Sequence, residues 1–494
     1  MTTTTARPQT DADDLAAFGY PQQLRRRLGS YASFAAGFSF VSILTTVFQL
    51  FGLGYSFGGP AFVWTWPLVF AGQLLVALVF AELAAHYPIS GCIYQWSRRV
   101  SSGTLGWFAG WMMLLGQIVS VAAAAIALQV VLPRIWAGFQ VVGGNAALSS
   151  VTGATNAVLL GTVLIAVTTV VSAIGVRVMS LVNSIGVTCE IVGVTLLVII
   201  LFGHAERGPA VVFETPPTDG PYVYAFLASA LMAAYVMYGF DSAGELSEET
   251  RDPRRTAPRA IVGALVVSGV GGGLLLLGAL MASPDLADPR MSSEGLPFIL
   301  TSRLGSAAGT ALLVTVVIAI VVCTLAIQTA ATRLMFSMAR DGVLPWSGRL
   351  AAVSPRTGTP ILPGLVVGLA AAAILLVNVG NAQLFAAVTS VAIVMVYVAY
   401  LLVTAPLLVR RLRGSWTGAR WRLWVNVGAV AWGVALAVNI AWPRPAVYDP
   451  VGGHWWLQWF APVTLAVALG AGALARVLAR PPRPAFDPVP EAVE

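Results

Sequence analysis

The chain has 494 residues, of which 57% are hydrophobic and only 10% charged. A soluble domain carries roughly 25% charged residues, so this composition excludes a water-facing globular protein and points to an integral membrane protein. The net charge of +7 comes from arginine alone and is sorted by side of the membrane, which argues against a nucleic-acid partner.

A bilayer-crossing helix needs about 20 apolar residues. Residues 1–30 read as a polar tail: Asp11, Asp13 and Asp14 precede Arg25, Arg26 and Arg27, with no cleavable apolar core. Spans are then predicted at Phe34–Phe57, Phe62–His86, Leu105–Val131, Val158–Ile174, Leu181–Phe202 and Ala225–Leu246. A second set follows at Ala260–Met281, Ala308–Met338, Ile361–Val379, Leu384–Leu408, Leu423–Ala441 and Trp456–Ala479. Ser90–Ser101 and Ser292–Leu304 read as loops holding short helices, and 481–494 as a Pro-rich tail. Residues 31–412 form the expected core, with 413–480 carrying two further spans.

Arginine orients the chain. Arg98, Arg99, Arg177, the cluster from Arg251 to Arg259, Arg340, and the cluster from Arg410 to Arg422 fall on one side. Few fall on the other, which places both termini in the cytoplasm of a multi-pass protein of the cell membrane.

Two spans are interrupted. The first carries Gly37, Ser39, Ser42, Thr45, Thr46, Gly52 and Gly54; the sixth carries Tyr238, Gly239, Asp241, Ser242 and Gly244. Broken backbone inside a bilayer is tolerated only where it lines a polar cavity. Five spans separate the two, so they run oppositely, the sign of a five-plus-five inverted repeat. Each break offers exposed carbonyls to a cation and exposed N–H groups to an anion. Together they would receive a zwitterion.

Asp241 reads either as the partner of a substrate ammonium or as an N-cap of the inner half-helix. Glu190 sits inside the fifth span, where an ionised carboxylate costs ~2.5–3.5 kcal/mol. It is the candidate proton-coupling group, against a structural role. Glu82 and Glu245 lie near span ends, where pairing with arginine is expected. Glu248, Glu249 and Asp341 are candidates for an inner gate with Arg98 or Arg99. Thr324, Thr329 and Thr332 could ligate sodium, though threonines of this kind usually bond back to their own helix. Cys92, Cys189 and Cys323 and the three histidines show no metal-ligand spacing. No metal, cofactor or catalytic motif is expected.

Four stretches carry a family resemblance. They are Gly58-Gly59-Pro60, Ala81 to Trp96 (AELAAHYPISGCIYQW), Tyr238 to Pro258 (YGFDSAGELSEETRDPRRTAP) and Arg333 to Pro345 (RLMFSMARDGVLP). In this order they resemble the amino acid–polyamine–organocation superfamily, and most of all its amino acid/choline transporter branch. The resemblance implies an all-α, leucine-transporter-like fold of about twelve spans with two C-terminal helices, and secondary transport of an amino acid, 4-aminobutyrate-like compound or amine. The partners would be that small solute and a proton, with sodium as the alternative ion, in a lipid membrane. By position, Ser42, Ile43, Leu44, Thr45 and Thr46 match the unwound binding stretch of the first span, and Tyr238, Gly239, Phe240, Asp241 and Ser242 its partner in the sixth. Three departures stand out: Thr46 where relatives often have Gly, Glu245 where Ser or Thr is usual, and Glu190 where some proton-coupled relatives carry Lys. An obligate exchanger and a transporter-like nutrient sensor are the alternative functions.

Overall fold

The computed structural model describes residues 15–217, 220–377, 379, 384–449, 452 and 454–479; at 306, 307, 384–389, 478 and 479 it describes the helical course alone. Both tails predicted at the chain ends lie wholly or partly outside these residues. Nine helical stretches are long and apolar enough to cross a membrane, the first of them holding two spans, and two shorter apolar helices complete twelve crossings among the described residues.

The first span is Ser30–Val41 followed by Ile43–Gly58, and the second is Thr65–His86. Gly103–Ile135, Val151–Ile174 and Val176–Gly203 are the third to fifth. The sixth is Tyr222–Val236 plus the single turn Ser242–Glu245. Pro253–Ala282 is the seventh, and the eighth ends the long helix Leu296–Arg340, which is kinked at Gly305. Ile361–Leu376, Leu384–Leu412, Arg420–Ala441 and Phe460–Ala479 complete the set. The loop helix anticipated within Ser90–Ser101 forms at Cys92–Val100; of the stretch Ser292–Leu304, the residues from Leu296 onward instead open the long helix Leu296–Arg340, after the short turn Arg290–Ser293.

The inverted repeat shows in the packing. The outer half of the first span lies against that of the sixth, and the inner half against the turn Ser242–Glu245. The second span packs on the seventh, the third on the eighth and the fourth on the ninth. Each of the first four spans thus lies beside its counterpart five positions on, while the fifth packs on the seventh and eighth. Small residues allow the approach: a Cβ at Gly272 would lie 2.2 Å from the Trp66 ring, across the second and seventh spans. Without a hydrophobic drive between helices in lipid, such close backbone packing is a main source of association.

The arginine-rich end is closed by ion pairs. Arg333 and Glu249 meet at 3.1 Å with both side chains fully buried, and Arg340 takes Glu248 through two contacts of 2.8 Å. Asp341 pairs with Arg98 and accepts hydrogen bonds from Tyr20 and Tyr94 at 2.8 Å each. Of the acids expected to meet Arg98 or Arg99, Asp341 does pair with Arg98. Glu248 and Glu249 instead find arginines of the eighth span, because those project into the same turn. Arg99 stacks on Phe18 at 4.8 Å.

The segment before the first span threads beneath this network. Arg27 and Leu28 donate backbone N–H groups to the Glu249 carbonyl at 2.9 Å, and the Tyr20 ring lies 4.0 Å from the Arg340 guanidinium. Burial, and then the Asp341 charge, push the Tyr20 hydroxyl above its usual pKa, which keeps it a donor.

Candidate functional site

The first span breaks at one residue. Ser42 takes φ 37°, ψ 94°, between two regular helices. Ile43 to Thr46, predicted as unwound, form the first turn of the outer half instead; only Ser42 leaves the helix. The Thr46 N–H and hydroxyl both bond the Ser42 carbonyl, at 3.1 and 2.7 Å. A Gly-free run has no residue that favours unwinding, and the helix re-forms at once.

That first turn faces the fifth span. Glu190 Oε1 accepts the Leu44 N–H at 3.1 Å and lies 2.9 Å from the Ser42 hydroxyl, which is 2.7 Å from Thr45 Oγ1. Glu190 is fully buried, and its Oε2 has no partner among the described residues. It therefore caps the outer half-helix, where a carboxylate meets both orphan N–H groups and the positive end of the helix dipole.

The sixth span breaks over Met237 to Asp241. Gly239 adopts φ 84°, and a Cβ there would fall 1.8 Å from the Phe40 ring of the first span. Only glycine fits both demands. Tyr400 of the tenth span knits the break: its hydroxyl accepts the Gly239 N–H at 2.9 Å and donates to Asp241 Oδ1. Asp241 Oδ2 has no partner among the described residues. The N-cap expected of Asp241 does not form, because the Ser242 and Gly244 N–H groups are bonded to the Gly239 and Asp241 carbonyls.

Aromatic and hydroxyl groups close the space around both breaks. Tyr238 OH is 2.9 Å from Ser120 Oγ of the third span, and its ring meets Phe40 edge-on at 5.6 Å. Phe240 lies among Phe80 and Tyr400. Cys323 of the eighth span reaches the Phe40 carbonyl at 3.7 Å. All ten predicted binding residues except Thr46 are buried. A crevice lined by Leu28, Ala32, Asn183, Ser242 and Thr329 approaches the site from the arginine-rich end.

Other predicted residues take different places. Glu82 pairs with Arg411 at 2.5 Å and Arg422 at 3.3 Å, as expected of a span-end acid. Glu245 finds no arginine: its Oε2 accepts the Gly91 N–H at 2.7 Å, because the neighbouring arginines are taken by Glu248, Glu249 and Asp341. Thr324 and Thr332 donate to carbonyls of their own helix at 2.8 and 2.7 Å, and the Thr329 hydroxyl lies 3.2 Å from Met179 Sδ. Sequence reasoning missed Tyr400, Ser120 and Tyr397, whose hydroxyl donates to the Ala234 carbonyl of the sixth span at 3.1 Å. The spacing Tyr397-x-x-Tyr400 was the available signal: two hydroxyls on one face of a membrane helix need polar partners.

Tyr400→Phe should cost about 1–3 kcal/mol, since it strands a buried carboxyl oxygen and an amide at once. The thermal midpoint in detergent should fall, and an unchanged midpoint would show that Tyr400 does not hold the break.

The sequence profile of the amino acid permease family matches residues 28–468. Amino-acid permease BAT1 of Arabidopsis thaliana is 27% identical over 87% of this chain and 88% of its own. Amino-acid permease 2 of Neurospora crassa is 26% identical over 91% of this chain and 85% of its own. The crystal structure of MhsT in complex with L-phenylalanine superposes with a TM-score of 0.59 at 14% identity, covering 83% of this chain and 97% of that one. That likeness shows the leucine-transporter-like fold. With its profile match running from the first span into the twelfth, the chain belongs to the amino acid permease family and is a multi-pass membrane transporter of amino acids.

Proposed function

We propose that the chain imports a small amino acid, a 4-aminobutyrate-like compound or a related amine by alternating access, driven by protons through Glu190. The observation that carries this reading is the meeting of two antiparallel broken spans around two buried carboxyl groups, Asp241 and Glu190. Ser42, Ile43, Leu44, Thr45 and Thr46 from one break and Tyr238, Gly239, Phe240, Asp241 and Ser242 from the other form the binding site. Asp241, with one oxygen unpaired, attracts the substrate ammonium. The core of residues 31–412 does the transport, while 413–480 brace it. Both termini lie in the cytoplasm of the cell membrane, and the crevice ending at Ser242 is the inner exit. No bond of the solute is made or broken.

A proton entering across ~100 mV supplies ~2.3 kcal/mol, roughly fifty-fold accumulation. That suffices for uptake without a nucleotide. The test is uptake of labelled amino acids, 4-aminobutyrate and choline into proteoliposomes lacking internal substrate, with an imposed proton gradient. Accumulation abolished by a protonophore supports the reading; uptake seen only with internal substrate would make the protein an exchanger.

Glu190→Gln should lose proton-driven accumulation while retaining counterflow exchange. Undiminished pH-dependent accumulation in this variant would remove Glu190 from coupling.

A further inference from the structure

Leu44 N–H is one of the orphan donors at the start of the outer half of the first span. An amino acid bound at this break would need such donors for its carboxylate, since helix N-termini are the fold's anion receptors. The receptor already holds an anion from within. Glu190 Oε1 accepts Leu44 N–H at 3.1 Å and lies 2.9 Å from the Ser42 hydroxyl. The contact is built in by packing: a Cβ at Gly193, one turn along the fifth span, would lie 3.4 Å from Leu44 Cδ1, so the two helices sit against each other here.

At the other break three donors are already taken: Gly239 N–H goes to Tyr400, and Ser242 and Gly244 N–H go to carbonyls of the break itself. The inner half of the sixth span is a single turn, Ser242–Glu245, too short for a helix-terminus receptor. Among the described residues, three buried carboxyl oxygens around the two breaks have no partner: Asp241 Oδ2, Glu190 Oε2 and Glu245 Oε1.

We infer that Glu190 is an internal stand-in for a substrate carboxylate, so that a solute carboxylate occupies the first-span break only by displacing Glu190 from Leu44 and Ser42. Glu190 is then a specificity-determining residue. It penalises solutes whose carboxylate must enter this break and spares solutes that present only an ammonium there. The inference rests on the transport reading above for its ligands, but not for the Glu190 contact itself.

Two measurements test it. Hydrogen exchange of peptides covering Ser42 to Thr46 is compared in the ligand-free wild type and in Glu190→Ala. Faster exchange in the variant is expected; equal exchange would mean that Glu190 does not occupy the amide, and would overturn the inference. Binding is then measured for L-alanine, L-leucine and 4-aminobutyrate and for the carboxamide of each. An apparent affinity is reduced by the fraction of protein that is competent to bind, so vacating a receptor that is mostly self-occupied should tighten the acids by about tenfold. The carboxamides should change by less than about twofold. Acids that weaken in the variant would show Glu190 to be a helper rather than a rival. If Glu190→Ala does not fold, Glu190→Gln carries both measurements, its neutral oxygen being the poorer acceptor. If none of these compounds binds either protein, the proposed substrate class fails, while the exchange result still decides the role of Glu190.

Discussion

Gly239→Ala should abolish transport and cost about 2–5 kcal/mol of stability. Part of this is backbone strain: an L-residue held at φ 84° pays roughly 1–2 kcal/mol. The larger part is overpacking. The new methyl would sit 1.8 Å from the Phe40 ring, itself buried and held edge-on against Tyr238. Forcing such a group apart costs typically 1–3 kcal/mol. The chain can relieve the clash only by separating the first and sixth spans where they are both broken. Uptake should therefore fall more than the thermal midpoint would suggest. An active Gly239→Ala protein with a wild-type midpoint would mean that the two breaks do not touch.

Arg333→Ala should be the most destabilising change at the arginine-rich end. The pair it forms with Glu249 is wholly buried, and the Glu249 carbonyl also holds the Arg27 and Leu28 amides. Removing one partner of a buried pair costs about 3–5 kcal/mol, because the survivor is left charged without compensation. Replacing both, as Arg333→Met with Glu249→Gln, should recover most of the loss. Thermal inactivation in detergent reads both variants. A single mutant no worse than the double would show that the surviving Glu249 is not left as an uncompensated charge.

The spans were legible in the sequence because hydropathy is a local property: each predicted segment overlaps the helix found, although the helices at Val151, Pro253 and Leu296 start well before the predicted Val158, Ala260 and Ala308. The break in the sixth span was legible for the same reason, since Gly239 and Asp241 interrupt an apolar run. The break in the first span was placed too broadly. Ser42 alone departs from helix, and no local signal separates it from Thr45 or Thr46. Partners were the least legible. Asp241 reads locally as a cap, yet it is held by Tyr400, 159 residues further on. Glu245 reads as a salt-bridge acid, yet every nearby arginine is committed elsewhere and it receives a backbone amide instead. Glu190 was recognised as unusual from its depth, but its contact with Leu44 depends on how two helices separated by 146 residues are set against each other.

The pairing of the first four spans with their counterparts five positions later has a consequence for synthesis. While the first five spans emerge from the ribosome, their close-packing faces have nothing to meet. Trp66 waits for Gly269, whose carbonyl takes its indole N–H, 203 residues later in the chain. Contacts so distant along the chain are slow to form, and intermediates lacking them expose surfaces that mispair. Until the second half arrives, the nascent first half must rest its small-residue grooves on lipid or on insertion chaperones. Truncation after the fifth span should therefore yield a degraded fragment rather than a stable half-transporter.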